Sequence, residues 1–299
     1  MTRIDVIDHP ADALGECPVW SPTEGALYWE DIDGSAIHRL DPSSGSIDTR
    51  SLPGRPGAFS FTGTPGRLVV GMEHQVVFMD WATGSIEPFV DLEPADNGNR
   101  LNDGKCDPAG RFVIGSMTED RSTGAANGVL HRVEADGSHV ALRHGISVSN
   151  ALAFDDDRGR MYWADSGTGR ILVWDYDIDT GDRRNGRVFF DFEDLPGKPD
   201  GGCLDAEGCY WSAEVHGAAL TRITPEGVLD RRIDLPLAMP TMPAFAGPDS
   251  STVYVTSIGD HGPDQRRIDA EPGSLLVLDD VGVTGRPEPV FAGGGRPSS

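Results

Sequence analysis

Apolar and polar residues alternate along most of this chain in short runs, and the runs come in pairs around a turn. Six stretches share the design: "CPVWSPTEGALYWEDI", "AFSFTGTPGRLVVGM", "KCDPAGRFVIGSM", "ALAFDDDRGRMYWADS", "CLDAEGCYWSAEV" and "AFAGPDSSTVYVTSI". A period of two broken by Pro, Asp and Gly predicts antiparallel strand-turn-strand units. A third strand-like run follows each: "AIHRLD", "QVVFMD", "GVLHRV", "RILVWDY", "ALTRIT" and "SLLVLD". A weaker fourth appears in "IEPFVDL", "RVFFDF" and "PEPVFAG". The second strands begin near Leu27, Arg67, Arg111, Arg160, Cys209 and Thr252, a spacing of roughly 40–50 residues that suits propeller blades. Six four-stranded units with almost no helical periodicity predict an all-β, six-bladed β-propeller occupying residues 1–299 as one domain. The N-terminal "RIDVID" is a candidate strand for closing the ring on the last blade.

Composition agrees with many tight turns: the 299 residues include 38 Gly and 22 Pro, spread along the whole length. The net charge of −23 argues against nucleic acid or an anionic membrane surface as partner. No segment reaches the length of a membrane span. "MTRIDVIDHP" has no apolar run behind Arg3, so a secretion signal is not expected and a cytoplasmic location is. Cys17, Cys106, Cys203 and Cys209 lack zinc-ribbon spacing and read as free thiols. There is no HExxH, no Gly-x-Ser-x-Gly and no phosphate-cradling glycine loop.

One polar residue interrupts the strand pattern where it matters. In "GISVSNALAF", Asn150 stands within a run headed for the core, and burying an unpartnered amide costs roughly 1–3 kcal/mol. In a propeller the first strand of each blade lines the central tunnel, so equivalent repeat positions converge on the axis. Counting back from the anchor residues Tyr28, Phe112, Tyr162 and Tyr210 reaches Glu16, Asn102, Asn150 and Asp200. The other two blades offer Gly57 or Ala58 and Pro243 or Ala244. Two carboxylates and two amide oxygens make a hard-oxygen site for one divalent cation. Ca²⁺ comes first, with Mg²⁺, Mn²⁺, Zn²⁺ and Fe²⁺ as alternatives. For any single residue, a turn or strand cap explains an Asn or Asp equally well; four in register favour a site.

The segments "LGECPVW", "RLNDGKCDPAGRF", "SVSNALAF", "MYWADS", "KPDGGCLDAEG", "AFAGPD" and "VYVTS" together resemble the family of senescence marker protein (regucalcin), gluconolactonase and luciferin-regenerating enzyme. The resemblance runs from about residue 14 to about residue 293. It implies a cation held by Glu16, Asn150 and Asp200, with Asp200 also the catalytic acid/base, and Arg100 and Asn102 facing substrate. The family often places another acid after its Gly-Thr/Ser-Met motif; in "GSMTED" Glu119 and Asp120 compete for that role, and Asp120 is ranked first. The chain departs from the family at Leu101, where an aromatic is usual, and at Ala151, where Gly is usual. It departs again at Val215–Gly217, where Trp-Gly-Gly is frequent, and around "TMPAF".

The expected reaction is metal-dependent hydrolysis of a small lactone, such as an aldonolactone. A cation would polarise the ester carbonyl while Asp200 moves a proton between water and ring oxygen. Arg100 would orient polar substituents by paired hydrogen bonds. Two other functions stay open: a non-enzymatic propeller plugged by a metal, and a hydrolase of other esters such as phosphotriesters. Several residues are set aside on physical grounds. "DYDIDTGD" imitates an EF-hand loop but lacks its central Gly and terminal Glu, so it reads as a hairpin turn. Cys17 has no paired His and reads as a small packing residue; Trp29, Trp163 and Trp211 read as blade core. His216 is a structural hydrogen-bonder or a second acid/base. Glu30, in "YWEDI", has no evident role in a strand.

Overall fold

The computed structural model describes residues 2–259 and 270–295. In chain order β1 is Arg3–Val6 and the first blade follows as β2 (Gly15–Ser21), β3 (Ala26–Asp31), β4 (Ala36–Asp41) and β5 (Ser46–Ser51). The second blade is β6 (Pro56–Phe61), β7 (Arg67–Met72), β8 (Gln75–Asp80) and β9 (Ile86–Asp91). The third is β10 (Asn99–Cys106), β11 (Phe112–Thr118), β12 (Gly128–Val133) and β13 (His139–Ile146). The fourth is β14 (Ser149–Asp155), β15 (Arg160–Asp165), β16 (Arg170–Tyr176) and β17 (Arg183–Asp191). The fifth is β18 (Lys198–Leu204), β19 (Tyr210–Val215), β20 (Ala219–Ile223) and β21 (Leu229–Asp234). The sixth holds β22 (Pro240–Ala246), β23 (Thr252–Ser257) and β24 (Leu276–Asp279). Each blade is a four-stranded antiparallel sheet, and together they form the six-bladed β-propeller that the repeats predict.

The sixth blade borrows its fourth strand from the N-terminus. β1 pairs antiparallel with β24, Arg3 opposite Asp279 and Val6 opposite Leu276, so "RIDVID" does close the ring. "PEPVFAG" is therefore not an outer strand. Its segment bridges Asp205 to Gly285, pairs Lys105 with Glu288 at 2.5 Å and runs parallel to Thr62 at Phe291. It thus crosses the far end of the inner strands from the fifth blade to the second. The outer-strand position it was expected to fill is occupied by a strand from the other end of the chain.

Alternation explains the packing between blades. Trp29, Trp163 and Trp211 are essentially unexposed, and each indole N–H donates to a buried oxygen: Asp12 Oδ2, Ser149 Oγ and Asp205 Oδ2 respectively. They are blade core, not a binding platform. "DYDIDTGD" forms the β16–β17 turn, with Asp177 Oδ1 accepting from Thr180 N and Gly181 at φ 71°. No helix among the described residues is long and apolar enough to cross a membrane.

The feature that shapes the tunnel is a break in register in every inner strand. The shifts fall between Glu16 and Val19, Pro56 and Ala58, Leu101 and Gly104, Asn150 and Ala153, Pro199 and Gly202, and Pro240 and Pro243. A bulge leaves residues unpaired and re-aims their side chains. In the sixth blade the bulge contains Thr241 and Met242, so these precede the Pro243 and Ala244 reached by counting. Gly57 explains why the second blade offers the axis no side chain. A β-carbon there would lie 2.4 Å from the carbonyl oxygen of Leu101.

Candidate functional site

Glu16, Asn102, Asn150 and Asp200 all lie at or within these bulges and are all buried, at 8%, 6%, 4% and 7% exposure. Their placement is not identical. Glu16 and Asn150 are the last paired residues before the break, opposite Glu30 and Ala164. Asn102 and Asp200 are the first unpaired residues, one step further on. After Glu16 and Asn150 the backbone turns left-handed, with φ 47° at Cys17 and 64° at Ala151.

Hydrogen bonds fix which atom each amide presents. The Ser166 hydroxyl donates to Pro199 O at 2.7 Å, so its oxygen is left to accept, which it does from Asn150 Nδ2 at 2.8 Å. The amide nitrogen being committed outward, Asn150 Oδ1 is directed the other way. It accepts from Asn102 Nδ2 at 3.0 Å and keeps a second lone pair. Asn102 is fixed from both ends: Arg100 Nη1 donates to its Oδ1 at 2.8 Å, and its Nδ2 also donates to Ser149 O at 2.9 Å. Arg100, 7% exposed, also donates to Leu101 O at 2.9 Å and makes no ion pair with a described acid.

Negative charge is concentrated here beyond what the repeat count showed. Burial pushes the Glu16 carboxyl well above the usual range, and the charges of Asp200 and Asp103 add to it. Burial, then Asp103, raise Asp200 to about 8, while Arg121 and Arg100 pull against that rise. Burial also raises Asp103 to about 6. Its Oδ2 accepts from Leu152 N at 3.0 Å, tying β10 to β14, and its Oδ1 has no partner among the described residues. Glu30, fully buried opposite Glu16, has neither oxygen satisfied among the described residues, and burial drives its carboxyl well up despite Arg100 nearby. Orphaned, buried carboxylate oxygens are costly. Glu16, whose Oε2 accepts from Cys17 N at 3.2 Å, and Asp200 are buried acids that repel one another, and with the Asn150 oxygen they form a donor set whose chemistry suits a hard divalent cation.

Asp120 is exposed and caps the 3₁₀ turn Arg121–Thr123, accepting from Ser122 N at 3.1 Å and Ser122 Oγ at 2.6 Å. Glu119 pairs with Arg55 at 2.6 Å, and Arg55 also binds Glu73. His216 is exposed in the β19–β20 turn at φ 65°. Cys17 is buried, donates its thiol to Phe59 O and has its pKa driven well up by burial, so it packs as a neutral residue. Two residues escaped the sequence reading. Asp103 follows Asn102 directly in "LNDGK", and that adjacency was its one signal; Ser166 ends "MYWADS", next to no candidate.

The profile of the SMP-30/Gluconolactonase/LRE-like region matches residues 14–259. The chain belongs to this family. The 6-deoxy-6-sulfogluconolactonase of Pseudomonas putida is 36% identical over 293 residues, covering 96% of this chain and 98% of its own. A solved structure of luciferin-regenerating enzyme is 30% identical with a TM-score of 0.92, covering 98% of this chain and all of that one. The calcium-binding protein regucalcin of Agrobacterium tumefaciens is 30% identical with a TM-score of 0.88, covering 96% of each chain.

The SMP-30/gluconolactonase fold gives the Ala151 departure a physical meaning. A non-glycine residue in the left-handed region costs roughly 1–2 kcal/mol, partly offset by the backbone entropy that glycine loses on folding. Ala151→Gly is therefore expected to stabilise the protein by up to about 1 kcal/mol, read as a higher midpoint in chemical denaturation. A lower midpoint would mean that packing of the Ala151 methyl outweighs the strain.

Proposed function

We propose that this protein is a divalent-cation-dependent hydrolase of a small polyhydroxylated lactone, with the cation held by Glu16, Asn150 and Asp200. The reading is supported by buried carboxyls at Glu16, Asp200 and Asp103 that repel one another, together with an Asn150 amide whose nitrogen is committed to Ser166. Lactonase names among the relatives support the reaction class, and the calcium-binding regucalcin supports Ca²⁺ as first choice. When bound, the cation supplies Lewis acidity toward an ester carbonyl and positive charge that offsets the clustered carboxylates.

The chain's own residues then divide the remaining work. Asp200 accepts a proton from the attacking water as its oxygen bonds to the lactone carbonyl carbon. It returns that proton to the ring oxygen when the ring C–O bond breaks, yielding the hydroxy acid. Arg100 and Asn102 orient the substrate's polar groups, and their mutual hydrogen bond holds both in place before substrate arrives. A metal-plugged, non-catalytic propeller would have no need of the buried Arg100 guanidinium beside the acids.

Ser166 provides a test of the relay that lies outside the ligand set. Ser166→Ala removes the acceptor that holds Asn150 Nδ2, freeing the amide to turn. Cation affinity is expected to fall by about 10–100-fold, as for other residues that orient a metal ligand. Titration calorimetry with Ca²⁺ measures it, and an unchanged affinity would remove Ser166, and with it the amide relay, from the account.

A further inference from the structure

A second group of metal-ligating side chains stands apart from the four axial residues. Residues 7–14 link β1, which closes the sixth blade, to β2 of the first. Asp12 on this link is 3% exposed and meets Asp31 and His38 of the first blade, with one ligand atom of each within 4.8 Å of the others. Both carboxylates are fixed from behind. Asp12 Oδ2 accepts from Trp29 Nε1 at 2.9 Å, and Asp31 accepts from Ala13 N at 3.0 Å, Leu14 N at 2.9 Å and Gly34 N at 2.9 Å. His38 is oriented through Nδ1, which lies 2.9 Å from Thr49 Oγ1. Its Nε2 stands 3.3 Å from Asp12 Oδ1, buried and yet without a hydrogen-bond partner among the described residues. His9 repeats that feature. Its Nε2 is also buried and unpartnered among the described residues, and its ring stands 5.4 Å from Trp29 and 6.3 Å from His38.

Two buried imidazole nitrogens without partners, beside two anchored carboxylates, are a costly arrangement unless positive charge sits among them. A proton shared by His38 and Asp12 is badly placed, because their contact lacks the alignment of a hydrogen bond. A metal suits the spacing better. Two ligand atoms about 2.1 Å from a tetrahedral ion stand about 3.4 Å apart, close to the separation of His38 Nε2 and Asp12 Oδ1. We propose that His38, Asp12 and Asp31 form a second metal site, for a transition metal such as Zn²⁺, with His9 reaching the fourth position. The nitrogen donors separate its choice of ion from that of the all-oxygen tunnel set, since Ca²⁺ and Mg²⁺ take oxygen ligands and imidazole suits Zn²⁺. Trp29, Thr49 and the backbone of Ala13 and Leu14 supply the outer hydrogen bonds that hold such ligands in place. An ion here ties the link to the first blade, at the seam where the ring closes.

The test counts Zn²⁺ per chain by elemental analysis and titration calorimetry in the wild type, His38→Gln, His9→Gln and Asn150→Ala. One equivalent is expected to be lost in His38→Gln and kept in Asn150→Ala, which alters the tunnel set alone. Removing a group that only orients a ligand costs about 10–100-fold in affinity, so losing the ligand His38 should cost roughly 100-fold or more. His9→Gln leaves three ligands and should cost about tenfold or more. Saturating Zn²⁺ should raise the Tm of the wild type and of Asn150→Ala but not that of His38→Gln. Circular dichroism checks that each variant folds; should His38→Gln fail, His9→Gln, on the link outside the strands, carries the comparison. Co²⁺ in place of Zn²⁺ gives a second readout, the visible absorption of a four-coordinate centre, expected in the wild type and lost in His38→Gln. Zn²⁺ binding that is unchanged in both histidine variants, or that Asn150→Ala removes entirely, overturns the proposal and leaves His38 and Asp12 a buried polar pair.

Discussion

Replacing Asp200 with asparagine is expected to lower kcat by roughly 10²–10⁴-fold while the protein keeps its fold and its cation. The substitution preserves shape and an oxygen able to coordinate but removes the group that takes up a proton. Asp200 is suited to that role by its surroundings. It is buried beside Asp103 and pushed to about 8, with Arg121 and Arg100 opposing the shift, so its proton affinity can be brought near neutrality by nearby positive charge. Turnover of a lactone panel and cation binding by calorimetry must be measured on the same preparation. If affinity collapses and excess cation restores the rate, Asp200 serves through its charge alone. Retained binding with near-normal kcat would take Asp200 out of the proton transfer altogether.

Chelation is expected to abolish turnover and to destabilise the protein, more at pH 8 than at pH 5.5. The sign follows from the carboxyls. Asp200 titrates near 8 and Asp103 near 6 in the folded chain, against about 3.9 when unfolded. Between those values the folded state holds more protons than the unfolded one. Stability of the cation-free protein therefore falls as pH rises from about 4 to about 8. A bound cation replaces those protons, so its stabilising effect grows over the same window. At a thousandfold excess over Kd it amounts to about 4 kcal/mol, on the order of 10 °C in Tm for a chain of this size. Scanning calorimetry at the two pH values, with chelator and with added Ca²⁺, reads it directly. A chelator effect equal at both pH values would mean that the carboxylates are not what the cation neutralises, and full activity after metal is shown absent would refute the dependence.

Repetition made the architecture readable from the residues alone. A strand places alternate side chains on opposite faces, and six similar hairpins must close on one axis, so equal positions in different repeats meet. Glu16, Asn102, Asn150 and Asp200 could be found in this way without any knowledge of their contacts, and the apolar anchors Trp29, Trp163 and Trp211 could be assigned to the blades. Direction and pairing were another matter. A bulge is a property of two strands together, since the extra residue exists only relative to a partner. Hence Thr241 and Met242, not Pro243 and Ala244, fill the bulge of the sixth blade, and Asn102 and Asp200 sit one step deeper than Glu16 and Asn150. The orientation of the Asn150 amide depends on a serine in the turn after the next strand, whose proton goes to a different blade. The density of charge around Asp200 depends on Asp103 and Arg100 from β10 and Arg121 from the turn after β11. Of the two acids in "TED", the one that caps a turn and the one that pairs with Arg55 are indistinguishable until the chain is folded. Local patterns specify which residues face inward, but an electrostatic field is a sum over distances, and those exist only once the ring has closed.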